Sequence, residues 1–258
     1  MRQLVSVSET FSDSTPRFLF SKVVYQENGD FFIARAAERS FPPAFDLESL
    51  QGKRIPLETQ HLPLPPDLTD SIRAPDPLPE DTFVKTINFL SYDPDKPGAE
   101  PLGEILIQKL RVYEDLRRHP HPNICEYQGY VVDESGRVSG LCLKKYQCNL
   151  SVAIWKKMDI DFDVLMKDYK NAVDHLHNLG WIHNDISGGN LMIDANLRGV
   201  LVDFGACTRE GAPIHIGTPL WAKADIWHIA EKENDYYGLQ HAELFIRDGG
   251  QGPNWQLD

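Results

Sequence analysis

Apolar and polar positions alternate with changing period along this chain, and the changes divide it into elements. Phe18 to Ala36 holds two β-branched and aromatic runs on either side of Asn28-Gly29, a pair suited to a tight turn, and predicts a hairpin. Phe83 to Ile87 is a further strand-like run with Lys85 among apolar neighbours. From Gly103 to His119 the period lengthens, and Leu106, Leu110, Tyr113 and Leu116 fall on one face of a helix. His119-Pro120-His121-Pro122-Asn123-Ile124 ends it; the prolines make this a rigid helix-to-strand turn rather than a pair of metal ligands. Two strands around Ser135-Gly136 follow, then a connector at Lys145 to Gln147. Asp161 is placed to cap a second helix with the stripe Leu165, Tyr169, Ala172, Val173 and Leu176, and Gly180 supplies its stop. Leu191 to Ile193 and Val200 to Val202 are short strands around an Asp194-Ala195-Asn196 turn.

Two stretches lack a clear period. Residues 1–16 are polar and read as a frayed, disordered terminus. Phe41 to Pro79 carries nine prolines, which fix φ and remove donors, so extended coil is expected, with one short helix near Asp67 to Ile72. Leu50, Ile55, Leu57, Leu62 and Leu64 are too much apolar content for a solvated linker. The stretch is expected to pack in order against the neighbouring strands.

The 258 residues are ample for a sizeable core, and 41% hydrophobic with 25% charged residues is ordinary for a globular chain. A formal charge of −12 argues against a nucleic acid or an anionic membrane as partner. Cys125, Cys142, Cys148 and Cys207 form no C-x-x-C pair, which fits reduced thiols inside a cell. The first residues lack the apolar core of a signal peptide, and no apolar run approaches the ~20 residues that span a bilayer. A soluble, intracellular chain, cytoplasmic or nuclear, is expected.

The chemistry concentrates between Trp181 and Cys207. Asp185 sits on a loop with Asn190 five positions on, and Asp203-Phe204-Gly205 ends the strand that follows, eighteen residues after Asp185. A base near an acceptor hydroxyl and hard oxygen ligands for Mg²⁺ are what phosphoryl transfer needs. The pattern H-x-D-x-x-x-x-N followed by D-F-G resembles the catalytic and metal-binding loops of eukaryotic protein kinases. The phrases HPHPNI, GLCLKKY, HLHNLGWIHNDI, NLMID and ENDYYGL are similar to a group of divergent fungal kinase-like proteins. The resemblance implies an α+β, two-lobe fold: a mainly β small lobe over 17–147 and a shortened, mainly helical large lobe over 148–258. It further implies ATP and Mg²⁺, with Asp185 as catalytic base and Asn190 and Asp203 as metal ligands. Lys85 would engage the α/β-phosphates, with Lys145 and Tyr146 of the connector at the nucleotide. His183 would brace the loop beside Phe204, and Asp235 would hydrogen-bond the loop backbone.

This sequence departs from that pattern in four ways. No G-x-G-x-x-G precedes Lys85. The helical position of the glutamate that pairs with it, seven residues before Leu116, holds Lys109, and Glu104 and Glu114 lie about 140° away around the helix. Asn184 stands for the arginine that precedes the catalytic aspartate, and Ser187 where a lysine is frequent. Only 55 residues follow Asp203, with no A-P-E after Gly217-Thr218-Pro219. The leading expectation is a phosphotransferase acting on a protein serine or threonine. A pseudokinase that binds nucleotide or protein stays open beside it, as does a small-molecule kinase of the aminoglycoside or choline type.

Overall fold

The structure is a computed structural model and describes residues 1–12, 17–39, 46–56, 60–95, 102–214 and 229–250. In chain order the elements are β1 (Gln3–Phe11), β2 (Phe18–Glu27), β3 (Asp30–Ala36), β4 (Lys53–Arg54), β5 (Thr82–Thr86) and α1 (Leu102–Arg118). β6 (Tyr127–Val132), β7 (Val138–Lys144), β8 (Cys148–Asn149), α2 (Leu150–Trp155) and α3 (Phe162–Asn178) come next. β9 (Trp181–Ile182), β10 (Leu191–Ile193), β11 (Gly199–Leu201), β12 (Thr208–Arg209) and α4 (Lys232–Arg247) follow. The result is a mixed α+β architecture with several small sheets, ordered β1-β2-β3-β4, β5-β7-β6, β11-β10-β8 and β12-β9. Two compact units interleave along the chain: Met1–Arg73, Val84–Gln108 and Tyr130–Leu141 form one, and Ala74–Phe83, Lys109–Gly129 and Cys142–Asp258 the other. Among the described residues no helix is long and apolar enough to cross a membrane.

The first unit is built on the expected hairpin. Asn28 (φ 52°) and Gly29 (φ 89°) take the left-handed conformations of a two-residue turn, and β2 pairs β3 from Glu27↔Asp30 to Ser21↔Ala36. The pair Tyr25↔Phe32 stacks at 5.3 Å, and Val23, Val24, Ile33 and Ala34 are buried. Residues 1–16 differ from expectation. Gln3–Phe11 is a nine-residue strand paired antiparallel to β2, while 13–16 lie outside the described residues. None of β1 is buried, so backbone hydrogen bonds rather than an apolar face hold it. Arg39 Nη2 to Glu9 (2.6 Å) and Arg2 Nε to Glu27 (3.1 Å) add ion pairs.

The proline-rich stretch is packed where it is described. Leu47–Ser49 and Pro66–Leu68 are single 3₁₀ turns, the second overlapping only the start of the helix expected near Asp67 to Ile72. The Ile55 N–H donates to Phe31 O, Val138 N–H to Leu62 O and Tyr130 N–H to Ile72 O, and Ile55 and Leu68 are buried. Its prolines leave extended backbone whose remaining donors and acceptors pair with strand edges. Pro42, Pro43 and Leu57 lie outside the described residues.

In the second unit α3 follows its sequence pattern closely. Asp161 accepts from the N–H groups of Asp163 and Val164, and all five stripe residues are fully buried. Burial of that kind is worth ~1.5–3 kcal/mol for each large side chain. Asp168 anchors the helix to β11: it accepts from Arg198 Nε (2.7 Å) and the Gly199 N–H (3.0 Å). Burial would raise its carboxyl, yet those partners hold it below the usual range. The short helix α2, which begins after the Asn149 cap, has no counterpart in the sequence reading. Six residues are too few to display a helical period.

Candidate functional site

The loop from His183 to Asn190 is held by buried polar groups beneath it. Asp235, on the first turn of α4 and fully buried, accepts from the backbone N–H groups of His183 (2.8 Å) and Asn184 (2.8 Å). His177 Nε2 lies 2.9 Å from the same carboxylate, so its proton must sit on Nε2. Gly238 lets the helix approach: a Cβ there would stand 2.6 Å from Ile186 Cβ and 2.8 Å from Ile186 O. Ile186 follows Asp185, so α4 fixes the height of the loop directly beneath the candidate base.

Within the loop, Asn190 Nδ2 donates to Asp185 O (2.8 Å) and to Asp185 Oδ2 (2.9 Å). One side chain therefore orients the Asp185 carboxylate, and the amide's Oδ1 is what Asn190 can offer a cation. His183 Nδ1 accepts from the Asp185 N–H (3.2 Å), which leaves Nε2 to donate to Val202 O (3.0 Å). Val202 N–H in turn donates to Asn190 O. The Val202 N–H bond continues the register of β10 and β11, but Val202 O goes to His183 and the Asn190 N–H to Ser187 O, so the strand expected over Val200 to Val202 ends at Leu201 instead. Asp203 comes next in the chain, at φ 61°. The structure thus gathers Asp185, Asn190 and the residue preceding Asp203 into one network.

Beyond Asp203 the chain turns inward. The Gly205 N–H donates to Asp203 Oδ1 (3.1 Å), and Phe204 is fully buried between the edges of Tyr113 (5.2 Å) and His183 (5.4 Å). Burial drives the Tyr113 phenol and the Cys207 thiol far above their ordinary values, so both are neutral and neither is a nucleophile. Lys109 is the unusual neighbour. A Cβ at Gly205 would stand 2.8 Å from Asp203 Oδ1, 3.1 Å from Lys109 Cε and 3.2 Å from Lys109 Nζ. The helix position where the resemblance has a glutamate therefore places an ammonium beside the Asp203 segment. Glu114 is buried and paired with Arg117 Nε (2.9 Å).

The donor set offered by Asn190 and Asp203 is oxygen only, the chemistry Mg²⁺ takes, and it fits that ion with Lys109 as a competing charge. The Tyr146 hydroxyl accepts from the Glu126 N–H (3.0 Å), and its ring lines a cavity of about 510 Å³ with Leu116, Pro122 and Val200, none of them a candidate site residue. Lys145 donates its backbone N–H to Asp81 O (2.7 Å). Lys85 lies in the first unit, half-buried in β5, with its carbonyl 3.2 Å from where a Gly140 Cβ would be. Gly217-Thr218-Pro219 lies outside the described residues. Sequence reasoning missed His177, Asn234 and Gly238 as supports. The first two look like surface polar residues of amphipathic helices until the buried carboxylate of Asp235 is seen.

No protein-family model matches the chain. The serine/threonine-protein kinase Tao of Drosophila melanogaster is 30% identical over 158 residues, covering 60% of this chain and 15% of that protein. The cytokinesis protein sepH of Emericella nidulans is 28% identical over 173 residues, 57% of this chain and 13% of the relative. Mitogen-activated protein kinase kinase kinase 1 of Arabidopsis thaliana is 30% identical over 133 residues, 48% of this chain and 21% of the relative. The chain thus spans 13–21% of the length of these relatives. Over about half its own length, it is similar to serine/threonine protein kinases and kinase-related proteins.

Proposed function

We propose that the chain is an ATP-dependent phosphotransferase of protein-kinase type, passing the γ-phosphate to a protein serine or threonine hydroxyl. The observation that carries the reading is the Asp185–Asn190 pair, with a carboxylate oriented by an amide and fixed from below by Asp235. In this reading Asp185 Oδ1 or Oδ2 accepts the proton of the incoming hydroxyl as its oxygen attacks the γ-phosphorus and ADP leaves. Asn190 Oδ1 and the Asp203 carboxylate would hold Mg²⁺, which when bound neutralises the phosphate charge. Lys85 engages the α/β-phosphates, and Lys145 and Tyr146 meet the nucleotide. A two-lobe arrangement over 17–147 and 148–258, kinship with the divergent fungal kinase-like group and an intracellular, cytoplasmic setting belong to the same proposal.

A specific observation favours a second reading, a nucleotide-binding pseudokinase. Lys109 beside the Asp203 segment opposes a metal charge at that carboxylate. Thermal unfolding with ATP, with and without Mg²⁺, and a phosphotransfer assay on a generic protein substrate separate the two. ATP at about 100 times its dissociation constant should stabilise the fold by ~2.7 kcal/mol. The Mg²⁺-dependent part should vanish in Asp203→Ala with the fold intact. Binding without turnover supports the pseudokinase, and no binding at all overturns both.

A further inference from the structure

One face of the first sheet collects like charges where neighbouring strands should avoid them. Lys22 of β2 lies directly opposite Arg35 of β3, and Lys53 of β4 lies opposite Ile33, two residues from Arg35 on the same face. Like charges in register across a ladder are destabilising, so three cations on three neighbouring strands call for an anion between them. The chain supplies one of its own. Asp95 accepts from Lys53 Nζ through Oδ1 and from Arg35 Nη2 (3.3 Å) through Oδ2, one oxygen to each cation. Lys22 is the cation left over, and its Nζ donates to Leu90 O (3.3 Å), a neutral acceptor. The Arg35 guanidinium also lies over the Phe20 ring (4.7 Å), which orients it. With Tyr92, Asp93 and Asp95, the three cations line a cavity of about 230 Å³ inside the first unit. Asp93 is turned back to its own backbone, where it accepts from the Asp95 N–H (3.0 Å).

We propose that this cavity is a binding site for a phosphate group, and that Asp95 occupies it as an internal stand-in. A carboxylate has two oxygens and satisfies two of the cations. A phosphate monoester carries about two negative charges and three strong acceptor oxygens, one for each of Lys22, Arg35 and Lys53. At about 230 Å³ the cavity exceeds the ~30 Å³ share of a water several times over but falls below the ~300–1,000 Å³ of sites for drug-sized ligands. It therefore takes the phosphate and its first attachment, not a whole nucleotide. Binding turns Asp95 out. The segment that Asp95 ends is tied to the same face by the Phe31–Phe89 stack (4.3 Å) and by the Lys22 bond to Leu90 O, and it leads on to α1 at Leu102. A phosphate that takes all three cations leaves the aromatic stack as the remaining anchor. Occupancy of the cavity thus sets how firmly the chain before α1 is held.

Titration calorimetry on the full chain with inorganic phosphate, at an ionic strength fixed with potassium chloride, tests the site. Wild type should bind. Asp95→Asn keeps the shape but removes the competing charge, and it should bind about fivefold more tightly, the scale of one exposed ion pair. Lys22→Met should weaken binding about fivefold on the same scale, although Lys22 makes no ion pair with Asp95. Lys53→Met should do likewise, and it carries the comparison where Lys22→Met does not fold. In hydrogen exchange, saturating phosphate should quicken the amides of 88–95 and leave α3 unchanged. A capped tripeptide with a central phosphoserine separates the two sources of the group. Tighter binding than inorganic phosphate assigns the cavity to a phosphorylated side chain, and equal or weaker binding assigns it to free phosphate. No binding to Asp95→Asn, a wild-type affinity in the folded lysine variant, or unaltered exchange at 88–95 overturns the proposal. None of these readouts requires turnover, and phosphate held at the Asp203 segment would be indifferent to both lysine variants.

Discussion

Lys109 shows how one side chain can shift the chemistry of a site whose other parts match expectation. Its ammonium and Asp203 Oδ1 both crowd the space that a Gly205 side chain would fill, which also explains why glycine stands there. A cation at this place should attract nucleotide phosphates when no metal is present. Lys109→Met is therefore expected to weaken ATP binding in EDTA about tenfold, the scale of one charge-assisted contact. Titration calorimetry reads this directly, and an unchanged affinity would mean the ammonium does not reach the phosphates. That Lys109 holds the helix position of the missing glutamate is read from the kinase resemblance together with helical spacing. Spacing reports which residue occupies a turn of α1, and it held because Leu106, Leu110, Tyr113 and Leu116 are all buried on one face. Spacing carries no information about where Asp203 would be, so the neighbour of Lys109 had to come from the structure.

At the scale of elements, α4 sets the geometry of the Asp185 loop through a residue with no side chain. Gly238→Ala would press a methyl group into Ile186 at 2.6 Å from its Cβ. Overpacking of this kind typically costs about 1–3 kcal/mol. The expected outcome is a lowered denaturation midpoint together with looser protection at 183–186, measured by urea unfolding and hydrogen exchange. A stability equal to wild type would show that α4 can retreat without consequence. Long periodic elements were legible in the sequence: α1, α3 and the Asn28-Gly29 hairpin fall within a residue or two of expectation. The misses have local causes. β1 and α2 bury too little or run too short for a hydrophobic pattern to form, and β11 ends one residue early because Val202 O goes to His183 and the Asn190 N–H to Ser187 O. The Asp185–Asn190 pairing was readable as a motif. Its supports, His177, Asn234 and Gly238, are dispersed in sequence and only the fold gathers them.

For the whole molecule, the proline-rich stretch gives the most direct check. Its backbone is paired with β3, β6 and β7 through Ile55, Ile72 and Leu62. Limited proteolysis should leave 60–73 uncut under conditions that cleave an unstructured control peptide, and rapid cutting throughout would show that these pairings do not persist. The interleaving of the two units bears on how the protein comes into being. The last piece of the first unit ends at Leu141, whereas the second unit begins at Ala74 and its last helix ends at Arg247. At a synthesis rate of about 5–20 residues per second, roughly 5–20 s separate those two points on the ribosome. At the start of that interval Leu110, Tyr113 and Leu116 have been made but most of their own unit has not. A newborn chain must carry this apolar face without its partners, and its demand on chaperones should be greatest during that window.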